Sequence, residues 1–208
     1  MTGAATRSRL LTLRQDQRAA RLGRDLLDNK REAILRELVQ RVRRRDASRD
    51  EARLAGGEAS MALDEALIEM SGRAVDAAIL AQPAAASIDR HQASLVGVPI
   101  PRIRADLPAY RPQYGIGATA ASLDVAGARF TALLARLIAL AEDEEAVRTL
   151  QDGLRKTVRR LQALEKVVIP RLEREARTIA AALEEEERDE FIRREEWLAA
   201  RAGTERAF

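Results

Sequence analysis

Cysteine is absent from the sequence, and histidine and aromatic residues are scarce. Without cysteine, the chain can form no disulfide, no thiolate nucleophile and no Cys-ligated metal site. The single histidine, His91, has no second histidine with which to build a metal site or a catalytic triad, so we interpret it as a surface turn residue. No long apolar run is present, and residues 1–13 do not resemble a secretory signal. These absences predict a soluble, intracellular protein without direct membrane insertion.

Charged residues, alanine and leucine dominate what is present. Charged residues make up 33% of the chain and aromatics 3%, a composition typical of long helices or coiled coils rather than of a thick globular core. Apolar residues recur mostly at steps of three and four through residues 119–201, and a matching pattern runs through residues 8–81. We therefore predict an all-α fold, a long two-helix antiparallel coiled coil in which these two segments pair.

The middle of the chain, residues 82–118, has a different composition. It contains five of the six prolines, both tyrosines and His91, and a helix cannot continue through such prolines. In residues 94–103, β-branched residues stand near glycine and proline, which predicts a short β-hairpin with edge character. We expect residues 82–118 to form a small structured head between the helices, and residues 202–208 to be a frayed tail.

The register of the coiled coil can also be predicted. If the turn of the chain is centred near Ile100, antiparallel pairing joins positions whose numbers sum to about 200. Leu67 would then lie beside Leu133, and Leu38 beside Leu161 or Leu164. Apolar layers meet apolar layers in this register, which favours the pairing.

Two local features could disturb the helices. Gly56 and Gly57 cost a helix interior about 2 kcal/mol relative to alanine, so we expect the first helix to continue through them but to be weak there. Pro170 cannot donate a backbone hydrogen bond to Lys166 and crowds its carbonyl group, so we predict a helix bend at this proline.

Carboxylate runs at residues 142–145 and 184–187 are the remaining candidates for chemistry. They could hold a metal ion, but charge runs are more often solvated helix faces, and we interpret both runs in that way. Acid–base catalysis by paired carboxylates needs a cleft, which a two-helix coil does not provide. Gly115 and Gly117 lack the Gly-Lys-Ser/Thr continuation of a phosphate loop. We assign no catalytic, cofactor-binding or metal-ligating residue and predict a protein that is not an enzyme.

Two surface features raise the question of partners. Three arginines within residues 14–21 and four within residues 41–45 could contact nucleic-acid phosphates. Acidic residues are interleaved with them and stacking aromatics are missing, so a solvated helix face is the favoured interpretation. Near the C-terminus, Phe191, Ile192 and Trp197 either cap the coil or form a tip that contacts another protein.

Several stretches of the sequence follow the pattern of a known family. Residues 23–35 read GRDLLDNKREAIL, residues 96–101 read VGVPIP, and residues 163–172 and 183–193 read ALEKVVIPRL and LEEEERDEFIR. The first resembles a Gly-x-x-Leu-Leu-x-x-Lys-Arg-(Asp/Glu) run, and the second a Met-Gly-Val-x-x-Pro pattern with Val96 in place of the methionine. Together, and in this order, they resemble the D subunit of the V-type and A-type ATPases.

The resemblance implies the central-stalk rotor axle of a rotary ATPase (ATP synthase). Such an axle couples ATP hydrolysis or synthesis in the catalytic hexamer of A and B subunits to rotation of the membrane ring and to ion transport, for example proton transport. The implied partners are the A and B subunits, the small F subunit of the rotor and the adaptor subunit on the membrane ring. The chain would then be a peripheral, cytoplasmic part of a membrane-bound complex, with no cofactor and no nucleic-acid partner.

Two interaction surfaces follow as hypotheses. Exposed ion pairs are worth only about 0–1 kcal/mol each, so arginines in a bearing could exchange partners at low cost as the axle turns. We hypothesise that seven arginines face the hexamer: Arg9, Arg14, Arg18, Arg21, Arg188, Arg193 and Arg194. We hypothesise further that four apolar residues of the head dock onto rotor partners: Val96, Val98, Ile100 and Ile103.

Two other functions remain open from the sequence. A coiled-coil stalk or chaperone of a protein-export ATPase would share the two helices, although such proteins usually lack a proline-rich head. A nucleic-acid-binding coiled coil would use the arginine clusters, and its binding to DNA would depend on salt.

Overall fold

The computed structural model describes residues 6–82, 87–115 and 119–205, with side chains as far as Leu198. In these ranges the helices are α1 (Arg7–Glu69), α2 (Gly72–Ala81), α3 (Ala121–Ala163) and α4 (Ile169–Glu205). A π-helical turn, Leu164–Val168, joins α3 to α4, and strands β1 (Ser87–Leu95) and β2 (Val98–Asp106) lie between α2 and α3. The predicted fold class, long paired helices with a small β-hairpin, is confirmed. Pro83, Gly117 and residues 206–208 lie outside the described residues.

The chain divides into two compact units. One contains the N-terminal part as far as Arg31 together with the chain from Lys156 onward, and the other is Glu32–Arg155. Each unit therefore pairs a stretch of α1 with helical residues from the second half of the chain.

In the unit that contains both ends of the chain, α1 packs antiparallel on α4. Gln17 Nε2 donates a 3.0 Å hydrogen bond to the carbonyl oxygen of Leu172, and Arg7 pairs with Glu187 further along α4. Lower numbers on α1 therefore face higher numbers on α4, which is the predicted orientation. Leu13 is buried on this side of α1.

In the other unit, α1 packs antiparallel on α3 through a seam of small side chains. A Cβ on Gly56 would lie 3.8 Å from Leu133 Cδ1 of α3, an ordinary contact distance, and α1 continues through Gly56 and Gly57 as predicted. Small residues at such positions let two helices approach closely. The buried alanines of α1 in this seam are Ala52, Ala59, Ala62 and Ala66.

The single helix predicted for residues 8–81 is in fact two helices. α1 ends at Glu69, and α2 begins at Gly72 after Ser71, whose backbone is extended with φ −68° and ψ 144°. The Ser71 hydroxyl accepts a 3.4 Å hydrogen bond from the amide of Ala74. A serine in this conformation satisfies one of the free amides at a helix start, so it favours a new helix here over a continued one.

The early end of α1 shifts the register of the coil. Ser122, near the start of α3, donates a 2.6 Å hydrogen bond to Glu69, the last residue of α1. Leu133 consequently lies against Gly56, and the predicted contact between Leu67 and Leu133 is wrong. The register is set by where the helices end and not by the midpoint of the connecting segment. The observed partners on α3 therefore lie about three helical turns away from the predicted ones.

The shifted register also changes the partners predicted for Leu38 and Leu164. Leu164 lies near Gly23, with 4.0 Å between Leu164 Cδ1 and a Cβ built on the glycine. Leu38 packs instead against a cluster that contains Ile34 and Leu150. The predicted pairing of Leu38 with Leu161 or Leu164 is therefore wrong.

A π-helical turn stands immediately before Pro170. Within it, the amide of Ile169 donates to the carbonyl of Leu164, five residues earlier. A proline nitrogen cannot donate a hydrogen bond, and its ring crowds the carbonyl group four residues earlier. The wider π-helical turn gives this carbonyl group more room than an α-helical turn would. The bend at Pro170 stays a prediction. α4 continues to Glu205, so most of the segment predicted to be a frayed tail is helical.

The β-hairpin packs on α1 and α3 within the unit Glu32–Arg155. Leu95 pairs with Val98 across a two-residue turn, and the turn residues Val96 and Gly97 have positive φ angles of 52° and 68°. Such angles are what a two-residue hairpin turn of type I′ requires, although they are unusual for a β-branched residue. On its inner face the hairpin contributes to a buried cluster: Ile34, Val98, Ile100, Ala146 and Leu150.

Candidate protein-interaction sites

The described residues offer little for metal chemistry or membrane insertion. Nowhere in these ranges do three or more His, Asp or Glu side chains come together in a way that could hold a metal ion. Likewise, none of the helices in these ranges combines the length and the apolar character that a membrane span needs. His91 is exposed, as predicted, but it lies in strand β1 opposite Arg102 and not in a turn.

One residue of the acidic run at 142–145 is buried. Asp143 is 0% exposed. Its Oδ2 accepts hydrogen bonds from Ser48 Oγ at 2.9 Å and Arg44 Nε at 3.2 Å, and Arg41 Nη1 lies 3.6 Å from Oδ1. Because a buried carboxylate is costly without such partners, Asp143 fixes α3 against α1 at this level of the coil.

The neighbouring Glu142 holds the hairpin. Its Oε1 accepts a 2.8 Å hydrogen bond from Arg102 Nη1, and its Oε2 accepts a 3.0 Å hydrogen bond from the backbone amide of Ile103. Glu144, by contrast, forms an exposed pair with Arg49 at 2.8 Å. The predicted solvated helix face is therefore correct for Glu144 and wrong for Glu142 and Asp143. We call Glu142 and Asp143 together the acidic clamp.

Two of the four residues predicted to dock onto rotor partners are core residues. Val98 and Ile100 are only 6% and 2% exposed, because alternate side chains of β2 point toward the helices. They are therefore not available to another protein, and this part of the prediction is wrong. Val96 at the turn is exposed, and Ile103 is half-buried.

A second polar cluster, which the sequence patterns did not predict, lies beside an apolar pocket of about 300 Å³. The Tyr114 hydroxyl donates to Asp124 and lies 3.0 Å from the Tyr110 hydroxyl. Gly127 leaves room for the Tyr110 ring, since a Cβ there would be 2.1 Å from Tyr110 Cζ. One feature of the sequence could have indicated this cluster: both tyrosines lie in one short segment of a chain that is poor in aromatics. The pocket is lined by Leu63, Ala78, Ile79, Gln82, Tyr110, Tyr114, Leu123, Ala126, Gly127 and Phe130.

The Tyr114 environment leads to a pH prediction. Burial, followed by hydrogen bonds to Asp124 and Tyr110, raises the pKa of the Tyr114 hydroxyl above its ordinary value. The stabilising effect of these contacts is therefore complete below about pH 10, where a tyrosine ionises in the unfolded chain, and is lost as the pH rises above that value. In a Tyr110→Phe variant, tyrosinate absorbance from Tyr114 should develop at higher pH in the folded chain than in urea. Coincident midpoints in the two solvents would contradict this result.

The seven arginines predicted to face the hexamer are all exposed on α1 and α4. Some have local partners within the unit. Arg21 Nη2 lies 2.7 Å from Glu173, Arg188 Nη1 lies 3.4 Å from Glu185, and Arg9 lies 3.9 Å from Glu175. These pairs are open to solvent on both sides, so they can be exchanged for pairs with another protein at small cost.

Large apolar side chains are exposed on α4 at residues 191–198, the last part of the helix whose side chains are described. Phe191, Ile192, Trp197 and Leu198 all keep about half or more of their surface open. Of the two interpretations offered for this segment, a tip that contacts another protein is favoured over a cap of the chain's own coil.

Comparison with known proteins identifies the family. A profile of the family described as the D subunit of ATP synthase matches residues 9–197. The chain belongs to this ATP synthase family. The D subunit of an A-type ATP synthase from Methanopyrus kandleri is 33% identical over 190 residues, covering 90% of this chain and 82% of the relative. The D subunit of a V-type ATP synthase from Thermotoga neapolitana is 32% identical over 193 residues, covering 93% and 95%, and that of Thermus thermophilus is 32% identical over 188 residues, covering 90% and 84%.

Membership of the family confirms the resemblance seen in the sequence. The D subunit is a central-stalk component of a rotary ATPase and is not itself catalytic, so the chain functions in a complex with other ATPase subunits. The matched range includes the hairpin, the acidic clamp and all seven arginines. The family favours the rotary ATPase over the protein-export stalk and the nucleic-acid-binding coil that the sequence left open.

Proposed function

We propose that this chain is the rotor axle of a V/A-type ATPase. It transmits rotation between the catalytic hexamer of A and B subunits and the membrane ring, and so couples ATP hydrolysis or synthesis to ion translocation. The observation that supports this role most directly is the antiparallel pairing of α1 with α4, with exposed pairs such as Arg21–Glu173 on the surface of the coil. Two paired helices resist torsion better than one, and a charged surface does not lock into a single position.

The proposed partners are the A and B subunits, the F subunit of the rotor and the adaptor subunit on the membrane ring. The chain is accordingly a cytoplasmic, peripheral component of a membrane-bound complex. Each state of the hexamer favours one angle of the axle, and nucleotide turnover shifts that preference. Docking of rotor partners on the head is confined to Val96 and Ile103, since Val98 and Ile100 lie in the core.

The arginine bearing can be tested in a reconstituted complex. We expect that a chain with Arg14, Arg18, Arg193 and Arg194 replaced by glutamine keeps its helical circular dichroism, because these side chains are exposed. ATP turnover should continue while the number of ions pumped per ATP falls several-fold. The reason is that the axle loses the charges through which it would interact with the hexamer. The measurement is the ratio of ion transport to ATP hydrolysis in vesicles.

A matched control replaces Arg129 and Arg136, which form exposed pairs with Glu58 and Glu51 in the other unit. This variant removes similar charges away from the proposed bearing and should leave the ratio unchanged. If the bearing variant pumps as many ions per ATP as the unaltered chain, the four arginines do not face the hexamer.

A further inference from the structure

Two consecutive residues of α3 hold two different elements. Glu142 accepts hydrogen bonds from the hairpin, donated by the Arg102 guanidinium and the Ile103 amide. Asp143 accepts a hydrogen bond from the Ser48 hydroxyl of α1. Successive side chains on a helix point about 100° apart and stand only about 1.5 Å apart along its axis. The acidic clamp therefore joins the hairpin and α1 to the same turn of α3.

Neither carboxylate of the acidic clamp is stable without its partners. Asp143 is fully buried, and the Glu142 side chain is only 14% exposed. Water replaces lost hydrogen bonds poorly at such positions, so the loss of a partner leaves a carboxylate that is badly solvated. A movement of α3 that relieved one carboxylate would also displace the other, because both are carried by one turn of helix. The contacts of the two carboxylates consequently cannot be adjusted separately.

The same three elements meet again in the apolar core beside the acidic clamp. Ile34 of α1, Ile100 of β2 and Leu150 of α3 belong to one buried cluster. The hairpin lies so close to α3 that a Cβ on Gly153 would be 2.9 Å from Val98 Cγ2. Such close packing leaves the hairpin no free space in which to move toward the helix. The hairpin is therefore a third wall of the core that α1 and α3 share.

We propose that the acidic clamp couples the position of the hairpin to the packing of α1 on α3. The two states are a docked hairpin with a tight α1–α3 seam and a displaced hairpin with a loosened seam. A partner that binds the hairpin therefore changes the seam, and loosening the seam changes the affinity of the hairpin for that partner. All of these contacts lie in the unit Glu32–Arg155, so the proposal concerns this unit alone and does not depend on the rotor role.

The amide of Ile103 reports on this coupling in the full-length chain, because it donates its proton to Glu142. We expect Ser48→Ala, which removes one hydrogen bond from Asp143, to accelerate hydrogen exchange at the Ile103 amide. The expected acceleration is about fivefold or more, the lower end of typical coupling between two sites. Asp143→Ala removes every contact of α1 with this carboxylate and should have a larger effect. Nuclear magnetic resonance of the ¹⁵N-labelled chain measures this single amide.

The reverse experiment starts from the hairpin. Arg102→Ala removes the side chain that bonds to Glu142 Oε1, and it should accelerate exchange at the α1 amides next to Ser48. Coupling between two sites acts in both directions, so an effect that runs only from α1 to the hairpin is not expected. The same spectra of the labelled chain measure the exchange of both groups of amides.

Arg49→Ala is the matched control for the α1 side. Arg49 pairs with Glu144, the next residue of α3, but both side chains are about half exposed. This variant removes an α1 partner from a neighbouring carboxylate outside the acidic clamp, so exchange at the Ile103 amide should stay unchanged. Leu13→Ala controls for stability, because Leu13 is buried in the other unit and its truncation destabilises the chain without altering the clamp.

Three results would overturn the proposal. Unchanged exchange at the Ile103 amide in both Ser48→Ala and Asp143→Ala would show that the seam can be weakened without any effect on the hairpin. Equal acceleration in Arg49→Ala would show that the loss of any α1 contact suffices and that the acidic clamp has no special role. Equal acceleration in Leu13→Ala, at the same loss of unfolding free energy, would show that this amide exchanges only when the whole chain unfolds.

Discussion

Asp143→Ala is expected to lower the free energy of unfolding by about 3 kcal/mol, the lower end of the range for breaking a buried ion pair. Asp143 is fully buried between α1 and α3, and its removal leaves the hydroxyl of Ser48 and the guanidinium groups of Arg41 and Arg44 without their shared acceptor. The Arg41 side chain is only 11% exposed, although it keeps Glu37 at 3.1 Å. Urea denaturation followed by circular dichroism measures the loss.

Glu144→Ala is the matched control for this prediction. It removes the same kind of charge from the next position of α3, but Glu144 and its partner Arg49 are about half exposed, so water replaces the lost pair. Its effect should be much smaller than that of Asp143→Ala. Asp143→Asn, which retains an acceptor for Ser48, should fall between the two. Similar midpoints for the alanine variants would show that the buried aspartate does not hold the helices.

The sequence contains a signal for this aspartate that the charge pattern hides. Val147, Leu150 and Leu154 follow the heptad spacing of the seam, and one further step of four residues toward the N-terminus reaches Asp143. The charge run suggests exposure to solvent, although one of its members stands at a seam position. Composition identifies an acidic stretch, but only the helical phase identifies which carboxylate points inward.

The pairing of the helices was predictable, whereas their register was not. The three- and four-residue spacing of apolar side chains identified two long helices and an antiparallel coil, because that spacing is a property of each helix alone. The register depends on where the helices end, and Ser71 ends α1 by capping α2. Alanines dominate the seam around Gly56, and an alanine seam tolerates several alignments, so the apolar pattern alone could not choose between them.

The interaction sites, too, could be predicted only in part from the sequence. The exposed arginines near the termini follow from charge pattern and family resemblance, and their exposure agrees with the hypothesis that they face another subunit. Neither the charge pattern nor the family resemblance shows which residues of the hairpin are buried. The hairpin has an inner and an outer face, and a β-branched residue is favourable on both. Only the alternation in β2, with Val98 and Ile100 inward and Pro99 outward, distinguishes a core residue from a docking residue.

Ile100→Ala separates these two roles and is expected to cost about 2–4 kcal/mol, because it leaves a cavity in a core cluster with Ile34 and Leu150. A docking residue would cost almost nothing in the isolated chain. We expect the hairpin to open locally at a lower free energy than the whole chain, so the loss should appear first as faster hydrogen exchange at the paired amides of β1 and β2. Hydrogen exchange read by mass spectrometry, together with urea denaturation, measures both events.

Ile88→Ala is the matched control, because it removes the same side-chain atoms from the same hairpin at a position that is 55% exposed. It should leave hydrogen exchange in β1 and β2 nearly unchanged. If both variants exchange at the same rate as the unaltered chain, Ile100 is not held against the helices and could take part in docking after all. If Ile100→Ala alone exchanges faster, packing of Ile100 in the buried cluster with Ile34 and Leu150 holds the hairpin against the helices of the unit Glu32–Arg155.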